Sequence, residues 1–250
     1  MSGHSKWSTI KHKKGATDQK RAKVFTKLIK EVTMAARLGG ANPDGNPRLR
    51  LAIEKARSQS VPKDNIDRAI KKGTGELGGD AIEEASYEGY GPAGIAIIVD
   101  CTTDNKTRTV AEIRNIFAKK GGHLGESGSV AWMFEKKGVI RIDAAGTTEE
   151  ILFEKALDAG ADDIKREEDI FVVTSAFEDF NKVHETLTKG GFAVKEASIE
   201  MLPKNTTTLA SEEEAQKLMS LIEALEDNDD VQNVWANYDI SDDLMEKLAS

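Results

Sequence analysis

The segments between Gly138 and Met201 constrain this chain more than any other feature. "GVIRID" (138–143) reads as a strand, and "TTEEILFEKALDA" (147–159) as a helix. Strand-like segments 162–167 and 169–175 follow. A helical "FEDFNKVHETLTK" (177–189) and a strand-like "FAVKEASIEM" (192–201) complete the series. Strand, helix, strand, strand, helix, strand is the order of a ferredoxin-like domain. Upstream, "GIAIIVDCT" (94–102) reads as a buried strand. "KTRTVAEIRNIFAKKGG" (106–122) reads as a helix with Val110, Ile113, Ile116 and Phe117 inside, and "GSVAWMFE" (128–135) as a strand. Downstream, helix 211–226 and strand 231–239 have no partners nearby in sequence. Joining the two flanks gives a split α+β domain into which the ferredoxin-like unit is inserted. The same joining predicts that strand 231–239 shares a sheet with strands 94–102 and 128–135.

Residues 17–73 have a different period. Helix 17–38 can be capped by Thr17 and stopped by Gly39-Gly40, and it carries Phe25, Leu28, Ile29, Val32 and Ala36 as one stripe. A second helix begins at Asn46-Pro47, with Leu49, Ala52, Ile53 and Ala56 facing inward. A third follows Pro62, carries Ile66, Ala69 and Ile70, and ends at Gly73. "GTGELGGD" (73–80) is a Gly-rich linker. Its G-x-G-x-x-G follows a helix rather than a strand, so it lacks the setting of a dinucleotide site. The fold class is therefore α+β with three domains. They are a basic helical bundle with its arm and linker over 1–79, the split domain over 80–135 plus 204–250, and the ferredoxin-like insertion over 136–203.

Charge divides the chain at the same place. Residues 1–72 hold eighteen Lys and Arg against six Asp and Glu, a net of +12, whereas the remainder carries −20. A basic module on an acidic body calls for a polyanionic partner at the basic end. Lys6, Lys11, Lys13 and Lys14 lie in a Gly-containing arm. At about 100° per residue, Lys20, Lys23, Lys27 and Lys30 fall on the face of the first helix opposite its apolar stripe. Arm and helix face together read as a phosphate grip, because lysines that neutralise phosphates release counterions. Trp7 either stacks on a base or packs the arm against the bundle. The ferredoxin-like domain lacks paired aromatics on "GVIRID" and "IFVVTSA" for base stacking, and its acidity opposes phosphates. It reads as a protein-contact or spacer module.

Other chemistries find little support. Cys101 is the one cysteine, which excludes an intrachain disulfide and a Cys-based zinc site and suits a reducing compartment. No apolar run approaches the length of a membrane helix, and the start lacks the apolar core of a secretory signal. The histidines, at 4, 12, 123 and 184, have no H-E-x-x-H spacing. If Met1 is removed, Ser2-Gly3-His4 forms a terminus that binds Cu(II) or Ni(II) adventitiously. "CTTDNKTRT" (101–109) reads as an Asp/Asn turn capping the next helix in preference to a ligand loop. No catalytic triad or carboxylate pair stands out, so no enzyme activity, cofactor or metal is expected.

At "SGHSKW", "FTKLI", "PKDNI", "YEGYGP", "TDNK" and "GSVAWMF" the chain closely resembles the YebC/PmpR family, nearly end to end. That family includes the mitochondrial translational activator of cytochrome oxidase subunit one. The resemblance implies the three domains described above and a cytoplasmic DNA-binding transcriptional regulator. For some members it implies a ribosome-associated translation factor. It carries over to His4, Ser5, Lys6, Trp7 and Lys11 in the arm and to Lys27 in the helix. "SQS" at 58–60 departs from the Asn-rich turn usual before the PKDNI motif. A start at "MSGHSKW" is the expectation for a bacterial cytosolic member. Duplex DNA and RNA or the ribosome are the two candidate partners, since both offer phosphates. No helix presents Arg, Asn or Gln in a row for base edges.

Overall fold

The computed structural model describes residues 18–78, 81–241 and 243–244, with the backbone alone for Asp18 to Lys20. The chain forms two compact units. One joins the residues up to Phe134 with those from Pro203 onward, and the other is Glu135–Leu202.

The first unit begins with three helices, α1 (Asp18–Gly39), α2 (Pro47–Ser58) and α3 (Lys63–Gly73). Leu28, Val32, Ala35 and Ala36 of α1 meet Leu49, Ala52, Ile53 and Ala56 of α2 and Ile66 and Ala69 of α3 in one buried cluster. Phe25 and Ile29, the rest of the predicted stripe, are partly buried against it. Asn46 joins the helices. Its side chain accepts from Leu49 N at 3.1 Å, capping α2, and donates to Ala35 O at 2.7 Å and Gly40 O at 2.9 Å at the end of α1. Pro47 occupies the first helical position, where its missing N–H costs nothing. At Gly73 a Cβ would collide with Thr33 O and the Ala36 methyl, so glycine lets α3 close on α1.

The same unit continues through β1 (Glu83–Tyr90), β2 (Ala96–Thr103), α4 (Lys106–Lys119) and β3 (His123–Leu124). After the other unit it resumes with β8 (Thr207–Thr208), α7 (Glu212–Glu226), β9 (Val231–Ala236) and β10 (Tyr238–Asp239). Its main sheet has the order β3-β1-β2-β9, and β10 pairs with β8 in a second, parallel ribbon. β2 runs antiparallel to β1, Glu83 opposite Thr103 and Tyr90 opposite Ala96. It also runs antiparallel to β9, with a register shift between Asp100 and Cys101. Ile97, Val99 and Cys101 share a core with Ile113 and Phe117 of α4, Leu218, Leu221, Ile222 and Leu225 of α7, and Val231 and Val234 of β9.

The first part of the predicted strand 231–239, β9, thus shares a sheet with strand 94–102 across more than a hundred residues, whereas Tyr238 and Asp239 leave it to pair with β8. A further sequence expectation fails here. Residues 128–135 are not a strand of this sheet: Ala131–Met133 form a 3-10 turn and Phe134 starts a strand of the other unit. The Gly and Ser residues before Val130 favour a tight loop over a ladder. The place of the missing strand is taken by β1, "EEASYEGY", which is too polar to show a buried face. It packs through Gly89, where a Cβ would lie 2.9 Å from Phe117 Cε1.

The second unit holds β4 (Phe134–Asp143, its first residue in the other unit), α5 (Glu149–Ala159), β5 (Ala161–Glu167), β6 (Ile170–Ala176), α6 (Phe180–Lys189) and β7 (Val194–Pro203). The sheet order β5-β6-β4-β7 is that of the ferredoxin-like fold. Ile140, Ile142, Phe171 and Val173 are buried, as are Leu152 and Ala156 of α5 and Phe180, Val183 and Leu187 of α6. On the alternate face, Arg141 and Val172 stand opposite one another in register, with Thr174 beyond, and no aromatic pair occupies it.

Candidate nucleic-acid interface

The lysine face of α1 does point away from the bundle's apolar stripe, as its spacing requires, but it does not face open solvent. Lys23 Nζ lies 2.6 Å from Asp227 Oδ1 and 3.1 Å from Asp227 O. Lys27 Nζ donates to Glu226 O at 2.5 Å. Lys30 Nζ donates to Asp229 O at 2.7 Å and to Asp230 Oδ1 at 2.8 Å. The physical reason is at the far end of α7. A helix leaves its last carbonyls unpaired and carries a partial negative charge there. α7 has no basic residue in its last turn, and it runs on into Asp227, Asn228, Asp229 and Asp230. Three lysines one helical turn apart on α1 supply the missing cations.

Asp230 is the centre of this contact. Its side chain is buried. Oδ2 accepts from Thr109 Oγ1 at 2.8 Å, Arg108 at 2.7 Å and Thr103 Oγ1 at 3.1 Å, while Oδ1 accepts from Lys30. Burial works to raise its pKa, but the bonds from Lys30, Arg108 and Thr109 outweigh it and hold the carboxyl well below the ordinary range. Bonded first to Asp230 and then to Asp104, Arg108 has its own pKa raised. The segment 101–109 supplies these donors because Asn105 caps α4, accepting from Arg108 N at 3.0 Å. Beside the hub lies a cleft of about 670 Å³ lined by Lys23, Lys30, Lys72, Asp104, Arg108 and Asp227, among others. Its charges alternate in sign, so it is not a cradle for a bare anion.

Of the residues read as phosphate contacts, Lys6, Trp7, Lys11, Lys13 and Lys14 lie outside the described residues, as does His4. Lys20 is on α1, with its side chain outside them. Lys23, Lys27 and Lys30 come together, but on the Glu226–Asp230 turn. α2 and α3 add a surface that helical spacing does not single out: Arg57, Lys63, Arg68 and Lys71 are all exposed. The signal for it is in the +12 count, eight of whose eighteen cations fall between Arg48 and Lys72. Arg48 is occupied, 2.8 and 3.0 Å from the two carboxylate oxygens of Glu31 and 2.6 Å from Glu84. Among the described residues no three His, Cys, Asp or Glu side chains converge as a metal site, and no helix is long and apolar enough to cross a membrane.

Residues 5–76 match the family model described as the TACO1/YebC protein N-terminal domain, and residues 82–238 match TACO1/YebC second and third domain. The chain is 58% identical over 251 residues to a "Probable transcriptional regulatory protein" of Syntrophus aciditrophicus, covering 100% of both chains. It is 56% identical over 249 residues to one of Desulfotalea psychrophila, again covering 100% of both. It is also similar to the crystal structure of a conserved hypothetical protein from Aquifex aeolicus. That match has a TM-score of 0.83 and 48% identity, over 90% of this chain and 93% of the other.

Proposed function

Because the chain belongs to the TACO1/YebC family, we propose that it is a regulator of gene expression that holds nucleic-acid phosphates through its basic N-terminal module. The observation that carries this reading is the +12 of residues 1–72 set against the −20 of the rest. A polyanion is drawn to the first. The names of the relatives, probable transcriptional regulatory proteins, support duplex DNA as the target and the cytoplasm as the place. With Lys23, Lys27 and Lys30 satisfied by the acidic turn, the phosphate contacts fall to Lys6, Lys11, Lys13, Lys14 and Lys20, beside the exposed cations of α2 and α3. Such contacts position a protein on nucleic acid and do not read sequence.

The test is a salt titration of duplex DNA binding by the full chain. Changing Lys6, Lys11, Lys13 and Lys14 together to Gln should lower the slope of log K against log salt by about 0.9 for each phosphate no longer neutralised. An unchanged slope would sink the arm as the grip. Crosslinking in cells, followed by sequencing of the bound DNA and RNA, identifies the target. Enrichment on ribosomal RNA would replace promoter binding by the translation-factor reading.

A further inference from the structure

The loop Gly125–Met133 holds Trp132 with its side chain open to solvent, at 64% exposure. Exposed tryptophans are ordinarily loose or partly covered; this one is fixed from below. The Glu88 carboxylate of β1 accepts three backbone N–H bonds from the loop: Gly128 at 2.6 Å, Val130 at 2.7 Å and Ala131 at 2.7 Å. Glu88 O also accepts from Gly125 N at 2.8 Å. The indole Nε1 donates to Ser129 O at 3.1 Å, which fixes the ring's orientation. Tyr90 Oη donates to the same oxygen at 3.0 Å. Tyr90 in turn stacks on the exposed ring of His123, centroids 5.4 Å apart. Lys204 Nζ donates to the Trp132 carbonyl at 2.9 Å, so a cation stands at the foot of the indole. Lys119 and Lys120, at the end of α4, precede His123 by a few residues and are exposed.

We infer that Trp132 is a stacking platform for one unpaired nucleobase of a single-stranded nucleic acid. A flat π-face held rigidly in water offers stacking at little entropic cost, and every base has a face to match it. The Lys204 ammonium, 2.9 Å from the Trp132 carbonyl, favours a base that carries a phosphate over an apolar protein side chain. At Gly128, with φ +85°, nothing lies within 4 Å of where a Cβ would be, so the loop is open there. The interior bases of a duplex cannot use the site, since their faces are already stacked. The site shares the nucleic-acid reading above but none of its residues.

Full-length protein with Trp7→Phe and Trp235→Phe leaves Trp132 as the sole tryptophan fluorophore. Titration with a twelve-residue oligo(U) should quench it, and a duplex of equal length should not. In the otherwise unchanged chain, Trp132→Ala should weaken oligo(U) binding roughly tenfold, and Trp132→Phe less than about threefold. Duplex binding and thermal melting should stay the same in both variants. Running oligo(dT) in parallel tells RNA from DNA as the source of the base. Emission unmoved at saturating oligo(U), no single-strand binding at all, or equal losses on single strand and duplex would each overturn the platform. Quenching that persists when the arm lysines prove irrelevant would leave the platform standing and remove the phosphate grip.

Discussion

Asp230 illustrates how much one carboxylate can organise. Four donors from three elements converge on it, and burial keeps it from bulk water. Asp230→Asn should therefore cost about 3 kcal/mol at neutral pH, measured by urea unfolding, because it leaves Lys30 and Arg108 without their common anion. The pH dependence follows from the sign of the shift. A carboxyl with a depressed folded pKa contributes its full stability above the ordinary Asp value, near 3.9, and loses it as the pH falls through the folded value. The stability gap between the wild type and Asp230→Asn should thus be widest above about pH 5 and close as the solution is acidified further. Cys101 is the opposite kind of residue. Burial first, then Asp100 and Asp230, push its thiol up to about 12, although Lys27 and Lys30 pull the other way. Its thiol should stay unreactive toward an aromatic disulfide reagent at about pH 8 until the protein unfolds, and a fast native-state reaction would contradict this burial.

At the scale of elements, two contacts join parts that are far apart in sequence. The first is α1 against the end of α7. Spacing alone predicts that replacing the lysine face with Gln leaves the fold nearly unchanged, since surface substitutions usually stay within about 0.5 kcal/mol. The structure predicts otherwise. Lys23, Lys27 and Lys30 changed together to Gln should lower stability by about 1–2 kcal/mol, most of it from Lys30, whose partner is buried. The salt slope of DNA binding should change little, because these ammonium groups are already neutralised. Urea melts and the same salt titration read both effects. The second contact is Glu88 with the Gly125–Met133 loop. Burial tends to raise the Glu88 pKa, but the three N–H bonds outweigh it and keep the group ionised. Glu88→Gln replaces a charged acceptor by a neutral one, so the amides of Gly128, Val130 and Ala131 should exchange with deuterium at least several-fold faster. Exchange unchanged at those amides would mean that the loop is held by something other than Glu88.

For the whole molecule, the insertion leaves each unit with its own core. Residues 135–202 contain a complete four-stranded sheet and the two helices that bury their apolar faces against one another and against it. Expressed alone, this fragment should unfold in urea as one cooperative transition, with a small m-value suited to its size. A non-cooperative melt would show that its core needs the rest of the chain. The first unit, by contrast, depends on segments from both ends of the sequence: β2 is paired by β1 on one side and β9 on the other, and α1 lies against β2 and β9.

The sequence by itself determined the helices of the bundle and the ferredoxin-like order, and it placed 231–236 in the sheet of 94–102. In each case apolar residues recur at one period long enough to fix an element and a buried face. The family could be read in the short motifs, because those residues occur together in few other chains. The charge division was also in the sequence, as a sum. What a sum cannot say is where each charge ends. Lys23, Lys27 and Lys30 found the Glu226–Asp230 turn about two hundred residues away, and only the packing of α1 across the sheet brings the two together. Strand β1 went unread because its burial comes from a glycine and half-covered polar residues. Trp132, inside a segment that reads as a strand, became an exposed ring on a loop. A carboxylate on that unread strand, Glu88, took the hydrogen bonds a ladder would have made. Periodicity reports which face of an element is buried; which partner covers the other face is a property of the assembled fold.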